Sequence, residues 1–183
     1  MLFGWGAPLL PIHLLWVNLI TDSLPAVALG LDRPEDDVME KGPASADKNL
    51  FADGLGERIA FEGIMIGALA LMAFGAGRIL SDSMQQETAM TMAFAVLSLS
   101  QLVHAFNMRS EKSIFRIHLF SNKFLCLAFV IGTLMQAAVI SVPALAQIFS
   151  AVPLNGMQWA VVAGLSLVPI VFVEFEKAVL KTK

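Results

Sequence analysis

Residues 10–31 read LPIHLLWVNLITDSLPAVALGL. The run is long enough to cross the hydrocarbon core of a bilayer as a helix, which takes about 20 apolar residues, and its one charged side chain is Asp22. A carboxylate at membrane depth is costly and normally faces an ion path or a binding site rather than lipid. Asn18, Thr21 and Asp22 are spaced to share one face of a helix. Pro25 has no amide hydrogen for the carbonyl of Thr21, which frees a backbone oxygen one turn back. Broken helices are tolerated at membrane depth where they line a cavity, and their freed carbonyls coordinate cations. An amide, a hydroxyl and a carboxylate form an oxygen-only donor set, the chemistry of a hard cation such as calcium. The competing reading is a polar cluster that joins helices, with Pro25 as a simple kink. Asn18 and Thr21 could do that without a charge, so Asp22 favours the ion site.

Composition sets the class. Of 183 residues, 57% are hydrophobic and 15% charged, against about 25% charged in an ordinary soluble domain, and the mean hydropathy is +0.73. So little charge would not cover the surface of a soluble protein, and the chain reads as a membrane protein. The formal net charge of −3 offers no broadly basic face for nucleic acid. The single cysteine, Cys126, excludes an internal disulfide and falls in the apolar run FLCLAFVIG, where packing or lipid contact is its expected role. The start MLFGWGAP has no basic n-region or cleavage pattern, so it is not expected to be a signal peptide.

The expected fold is all-α, a bundle of five transmembrane helices over about 10–29, 59–80, 88–108, 122–142 and 154–175. Glu62 is close enough to the start of the second span to snorkel. The long uncharged stretch between Lys123 and Glu174 divides around Pro143 and Pro153. The cytoplasmic loops are expected over 32–58 and 109–121. Each of the segments Asp32–Arg58 and Arg109–Lys123 holds four basic residues, the tail holds three, and the opposite side receives only Arg78. Basic residues mark the cytoplasmic side, which places the N-terminus outside and the C-terminus inside. The first loop is irregular by composition and suits a connector or a docking surface for a soluble domain. The second, with SIFRIHLFSN, suggests an interfacial turn that meets lipid head groups.

Ser98, Gln101, His104 and Asn107 form a second polar stripe on the third span. Gln101, near its middle, suits either a carbonyl ligand or an interhelical hydrogen bond. His104 is a poor calcium ligand on its own and more a hydrogen-bond donor. Gly63 and Gly67 have the GxxxG spacing that lets helix backbones approach. The tryptophans read as interface anchors or core, and Glu174, Glu176 and Lys177 as a cytoplasmic boundary. The sequence has no GxxxxGK[ST], HExxH or CxxC. No residue is assigned a catalytic or cofactor-binding role.

The stretch PIHLLWVNLITDSLPAVALGLDRPEDDVMEKGP closely resembles the sixth transmembrane helix and following loop of P-type calcium-transporting ATPases, whose pattern is N-x-x-T-D, a proline, an acidic run after a proline, and M-x-K-x-P. Here these are Asn18, Thr21, Asp22, Pro25, then Pro34, Glu35, Asp36, Asp37, Met39, Lys41 and Pro43. The rest resembles the seventh to tenth helices, most clearly in SQLVHAFNMRSEKSIF. The resemblance covers nearly all of residues 1–183 and implies the C-terminal transmembrane domain of a bacterial calcium pump. It implies that Asn18 and Asp22 match ligands of the site shared by these pumps, and that Thr21 and Asp22 also match the additional site of two-site pumps. Those pumps place a glutamate on the eighth helix where Gln101 stands, with Asn107 at the asparagine of the same pattern. This departure weakens the second site and favours the plasma-membrane-type pattern of one calcium per cycle, with Gln101 as a secondary contact.

The resemblance also implies that helices one to five and the actuator, nucleotide-binding and phosphorylation domains lie N-terminal to Met1, as partners of this chain. The bound species expected here is Ca2+, as transported ion. ATP and Mg2+ would act only in the full-length pump, and this chain alone should not hydrolyse ATP. The alternatives are a noncatalytic membrane scaffold and transport of another cation such as sodium. The expected location is the cell membrane. The topology is checked by accessibility labelling of single cysteines at Ala44 and Gln147 in a Cys126-free background. Ala44 is expected to label from the cytoplasm and Gln147 from outside; cytoplasmic labelling of both contradicts the five-span orientation.

Overall fold

The computed structural model describes residues 6–32, 55–81, 86–109 and 121–180. Among them every regular element is a helix, with no strand. Five helical stretches are long and apolar enough to cross a membrane: Pro11–Gly30, Gly56–Ile79, Gln86–Asn107, Lys123–Ser141 and Gly156–Lys177. This is the all-α, five-span bundle expected from the sequence. The loop residues Pro34 to Pro43, most of the second basic loop and Trp5 lie outside the described residues.

The first span is three pieces: α1 (Pro11–Trp16), a π turn (Val17–Asp22) and α2 (Ser23–Gly30). Pro11 opens α1 where a missing N–H costs nothing. Next come α3 (Leu55–Ile79) and α4 (Gln86–Asn107). Asn122 caps α5 (Lys123–Ser141), its Oδ1 accepting from the amide of Leu125 at 2.9 Å. Pro143 starts the short α6 (Pro143–Ile148), and α7 (Gly156–Leu180) runs on past Pro169. The stretch between Lys123 and Glu174 therefore divides where the prolines predicted, with one extra turn of helix between the spans. That turn ends in a Schellman arrangement: Ala151 N–H bonds the carbonyl of Ala146 at 2.9 Å, with Ser150 at φ 48°.

The α4 helix is the hub. Its apolar window is 72% buried, against 33% or less for the other four spans. Its small and apolar side chains meet every other span. Met92, Ala95 and Val96 pack with Leu69 and Ala73 of α3, Ile140 of α5 and Val162 of α7. Phe94 meets Val17 of the π turn, and Ala105 meets Ala28 of α2 and Leu125 of α5. Polar side chains add fixed points. Asn107, fully buried, donates from Nδ2 to the carbonyl of Pro169 at 2.9 Å. Lys177, near the end of α7, is also buried and donates to the carbonyl of Asn107 at 3.2 Å, so it closes the C-terminal end of α4 as a basic side chain does well.

The GxxxG reading of α3 does not describe a helix contact among these residues. A methyl group on Gly63, Gly67 or Gly75 would meet nothing within 4 Å. The close approach is at Gly77, where a Cβ would stand 2.7 Å from the Cα of Ala89 on α4. This approach is near the end of α3, more than two turns beyond the GxxxG spacing, where Gly63 opens on a groove between helices instead of a backbone. Gly77→Ala is therefore expected to destabilise the chain in detergent by about 1–3 kcal/mol through overpacking. Gly67→Ala should leave it unchanged or slightly more stable, since alanine is the better helix former. Thermal unfolding followed by circular dichroism checks the pair.

Candidate functional site

The first span is held at both ends and distorted in its middle. At the end where α1 begins, the His13 ring is fully buried and stacked on Phe94 with centroids 4.4 Å apart. Its Nδ1 accepts from the amide of Leu10 at 3.2 Å, so Nε2 carries the hydrogen and donates to the carbonyl of Phe149 at 2.6 Å. Trp16 Nε1 donates to Gln136 Oε1 of α5 at 2.9 Å. At the other end, Asn122 Nδ2 donates to the carbonyl of Ala28 at 3.0 Å, and Arg109 forms a two-pronged pair with Asp32.

Between these anchors, residues Val17–Asp22 form the π turn. Pro25 stands just beyond and has no donor to continue an ordinary ladder. Single π turns inside α-helices are rare and cluster at functional sites. Two hydroxyls occupy the loosened carbonyls: Thr21 Oγ1 donates to Val17 O at 2.8 Å, and Ser23 Oγ to Asn18 O at 3.0 Å. The wider turn separates the three expected ligands. Thr21 is buried and lies 3.3 Å from Gln101 Oε1 on α4. Asn18 and Asp22 are exposed. Asp22 has no hydrogen-bond or ion-pair partner among the described residues.

Thr21, Asp22 and Gln101 line one groove of about 340 Å³ between the first span, α3 and α4; Asn18 is not part of its wall. The groove extends from the level of Asp22 and Ile66 to Leu29, Ile59 and Met108, at the end of the bundle from which the two basic loops depart. Its other polar wall is Glu62 and His104. Glu62 does not snorkel. It is 4% exposed, with Oε1 3.0 Å from Arg58 Nε and Oε2 3.3 Å from His104 Nε2. Burial of a carboxylate is tolerated when paired and hydrogen-bonded, and α3 faces α4 at this level. The i, i+4 spacing of Arg58 and Glu62 was the sequence signal for it; the partner across on α4 carried none.

The stripe expected on α4 fans out instead of facing one target. Gln101 meets the first span, His104 meets α3, and Asn107 meets α7. Ser98 is buried, its hydroxyl without a hydrogen-bond partner among the described residues. The donor set around the groove is rich in oxygen, as a hard cation requires. It is also incomplete: among the described residues no group of three or more His, Cys, Asp or Glu is placed to hold a metal ion. Calcium takes six to eight oxygens.

Comparison with known proteins gives the group a family. Residues 6–179 match the family model described as "Cation transporting ATPase, C-terminus". The chain is 46% identical over 194 residues to "Calcium-transporting ATPase 1" of Bacillus cereus, an alignment covering 97% of this chain and 22% of that protein. It is 41% identical to "Calcium-transporting ATPase" of Bacillus subtilis, covering 92% and 19%, and 34% identical to "Calcium-transporting ATPase 1" of Lactococcus lactis, covering 98% and 20%. The chain thus spans about a fifth of the length of the curated relatives it matches. It belongs to the cation-transporting ATPase C-terminal family, and its five spans are a membrane domain of the bacterial calcium-transporting ATPase type.

Proposed function

We propose that this domain supplies the sixth-helix face of the cation site in an ATP-driven calcium pump. Asn18, Thr21 and Asp22 are the ligands it contributes, and Gln101 is a secondary contact. The observation that carries the reading is Asp22, a carboxylate unpaired among the described residues, beside a π turn in a membrane-length helix. A carboxylate kept at that depth only for helix packing would have a partner. The exposure of Asn18 and Asp22 supports a site completed from elsewhere: the remaining oxygens come from helices of the pump outside these residues. ATP and Mg2+ act there too, since these residues contain no nucleotide-binding motif, and the chemical step belongs to those other domains. This chain's own residues bind the ion, orient its ligands and hold the surrounding helices. The orientation that fits is N-terminus outside and C-terminus cytoplasmic, with the basic loops on the side of the ATP-dependent domains.

Gln101 supports a single-ion site. Where two-site pumps have a carboxylate, this side chain offers a neutral amide, whose oxygen lies 3.3 Å from the Thr21 hydroxyl. Calcium is favoured as the ion by the names of the relatives; sodium transport and a scaffold in which the polar groups only join helices are the readings it must beat.

Two measurements test the proposal. In the intact pump, Asp22→Asn is expected to nearly abolish calcium-dependent phosphorylation by ATP, because it removes the charge at almost unchanged size. Asn18→Ala should weaken the calcium dependence, and Gln101→Ala should shift it less. If Asp22→Asn keeps the parent calcium midpoint while Gln101→Ala shifts it strongly, the site is on the wrong helix. The isolated chain, by titration calorimetry in detergent, should bind calcium no tighter than about millimolar, the weak end of natural sites with few charged ligands. Submicromolar binding would contradict a site completed by other helices.

A further inference from the structure

The groove holds a second carboxylate, Glu62, that the cation reading does not use. It shares the wall with Asp22, Thr21 and Gln101, and it is more deeply buried than Asp22. Both of its oxygens are engaged, one by Arg58 at 3.0 Å and one by His104 at 3.3 Å. The proton arrangement at His104 follows from its other neighbour. Asn107 Nδ2 must be the amide nitrogen, because it donates to the carbonyl of Pro169 at 2.9 Å. The same nitrogen lies 3.4 Å from His104 Nδ1, which makes Nδ1 the acceptor and leaves the ring hydrogen on Nε2, facing Glu62. A neutral imidazole satisfies both contacts. Among the described residues, the charges at this wall are then Glu62 and Arg58, which cancel, and Asp22, which has no counter-charge.

We infer that Arg58 sets the charge of the groove: by masking Glu62 it leaves one net negative charge for a divalent cation, and it tunes the cation affinity of the site although it is not a ligand. The inference rests on the proposed cation site and deepens it. A hard divalent ion at Asp22 senses every unit charge nearby in a partly desolvated groove more strongly than in water. With the pair intact, the wall adds almost nothing to that field. Without Arg58, Glu62 becomes a second attracting carboxylate on the same groove. Without Glu62, Arg58 becomes an unbalanced repelling cation. The two substitutions must therefore move affinity in opposite directions, whereas a pair that only staples α3 to α4 would make both harmful.

The test is a chimaera in which this chain replaces the matching segment of the Bacillus cereus relative, assayed by phosphoenzyme formation against free calcium. Arg58→Gln is expected to lower the calcium midpoint about fivefold and Glu62→Gln to raise it about fivefold, the scale of one unit charge acting on a divalent ion through a partly solvated site. The double variant should return to within about twofold of the parent, and so should Arg58→Lys, which keeps the charge but not the guanidinium. An unchanged or raised midpoint in Arg58→Gln overturns the inference, as does a shift in Arg58→Lys as large as in Arg58→Gln. If Arg58→Gln does not assemble, Glu62→Gln decides: a raised midpoint whose shift shrinks with added salt supports charge masking, and an unchanged or salt-independent one overturns it. Asp22→Asn in the same chimaera separates the two readings. An unchanged midpoint there fails the cation site itself, whereas its loss alongside an indifferent Arg58→Gln fails only this inference.

Discussion

The missing amide hydrogen of Pro25 is the constraint around which the first span is arranged. An α-helix in lipid satisfies its backbone internally, and no water replaces a lost bond. Here the chain answers with a π turn immediately before the proline, and with the hydroxyls of Thr21 and Ser23 on the carbonyls of Val17 and Asn18. A loosened turn cannot hold its own direction. The anchors at either end supply it: His13 and Trp16 fix α1, while Asn122 and Arg109 fix α2. The distortion is thereby confined to the residues that present Asp22.

These anchors converge on a rigid centre. Four of the clusters that bury apolar side chains include residues of α4, and the polar side chains of its last two turns reach three different helices. Gln101 touches the distorted span, His104 the buried Glu62, and Asn107 the carbonyl of Pro169. In lipid, where apolar contact between helices has little hydrophobic driving force, close packing and interhelical hydrogen bonds carry the association. Between the first span, α3 and α4 this packing leaves room, and the groove with Asp22 and Glu62 on its wall occupies it.

Much of this was legible in the residues because the bilayer makes length and polarity decisive. Span number followed from apolar runs and from Pro143 and Pro153, whose effects on helices are local. Asp22 was conspicuous for the same reason: one charge in a long apolar run. What was not legible depended on which side of a helix faces which neighbour. Glu62 read as an interfacial side chain because its depth is ambiguous from sequence, and its burial is decided by His104, 42 positions away in the chain. Gly63 and Gly67 carried the right spacing where no neighbour comes within 4 Å of an added Cβ, while Gly77, outside any motif, has the backbone of Ala89 against it. The three donors of the first span share a face only on an ideal helix. The π turn buries Thr21 and leaves Asn18 and Asp22 exposed, a rearrangement that Pro25 hinted at without specifying.

Asp22 lacks a partner among the described residues, and in the proposed function that partner is a cation. The direct measurement is a structure of the intact protein that contains this domain, determined in saturating calcium. The expected result is density for an ion about 2.3–2.6 Å from an Asp22 carboxylate oxygen, with Asn18 on the same ion and helices from outside these residues completing its shell. An Asp22 carboxylate bonded instead to a side chain or backbone group of a neighbouring helix, with the calcium held elsewhere, would contradict it.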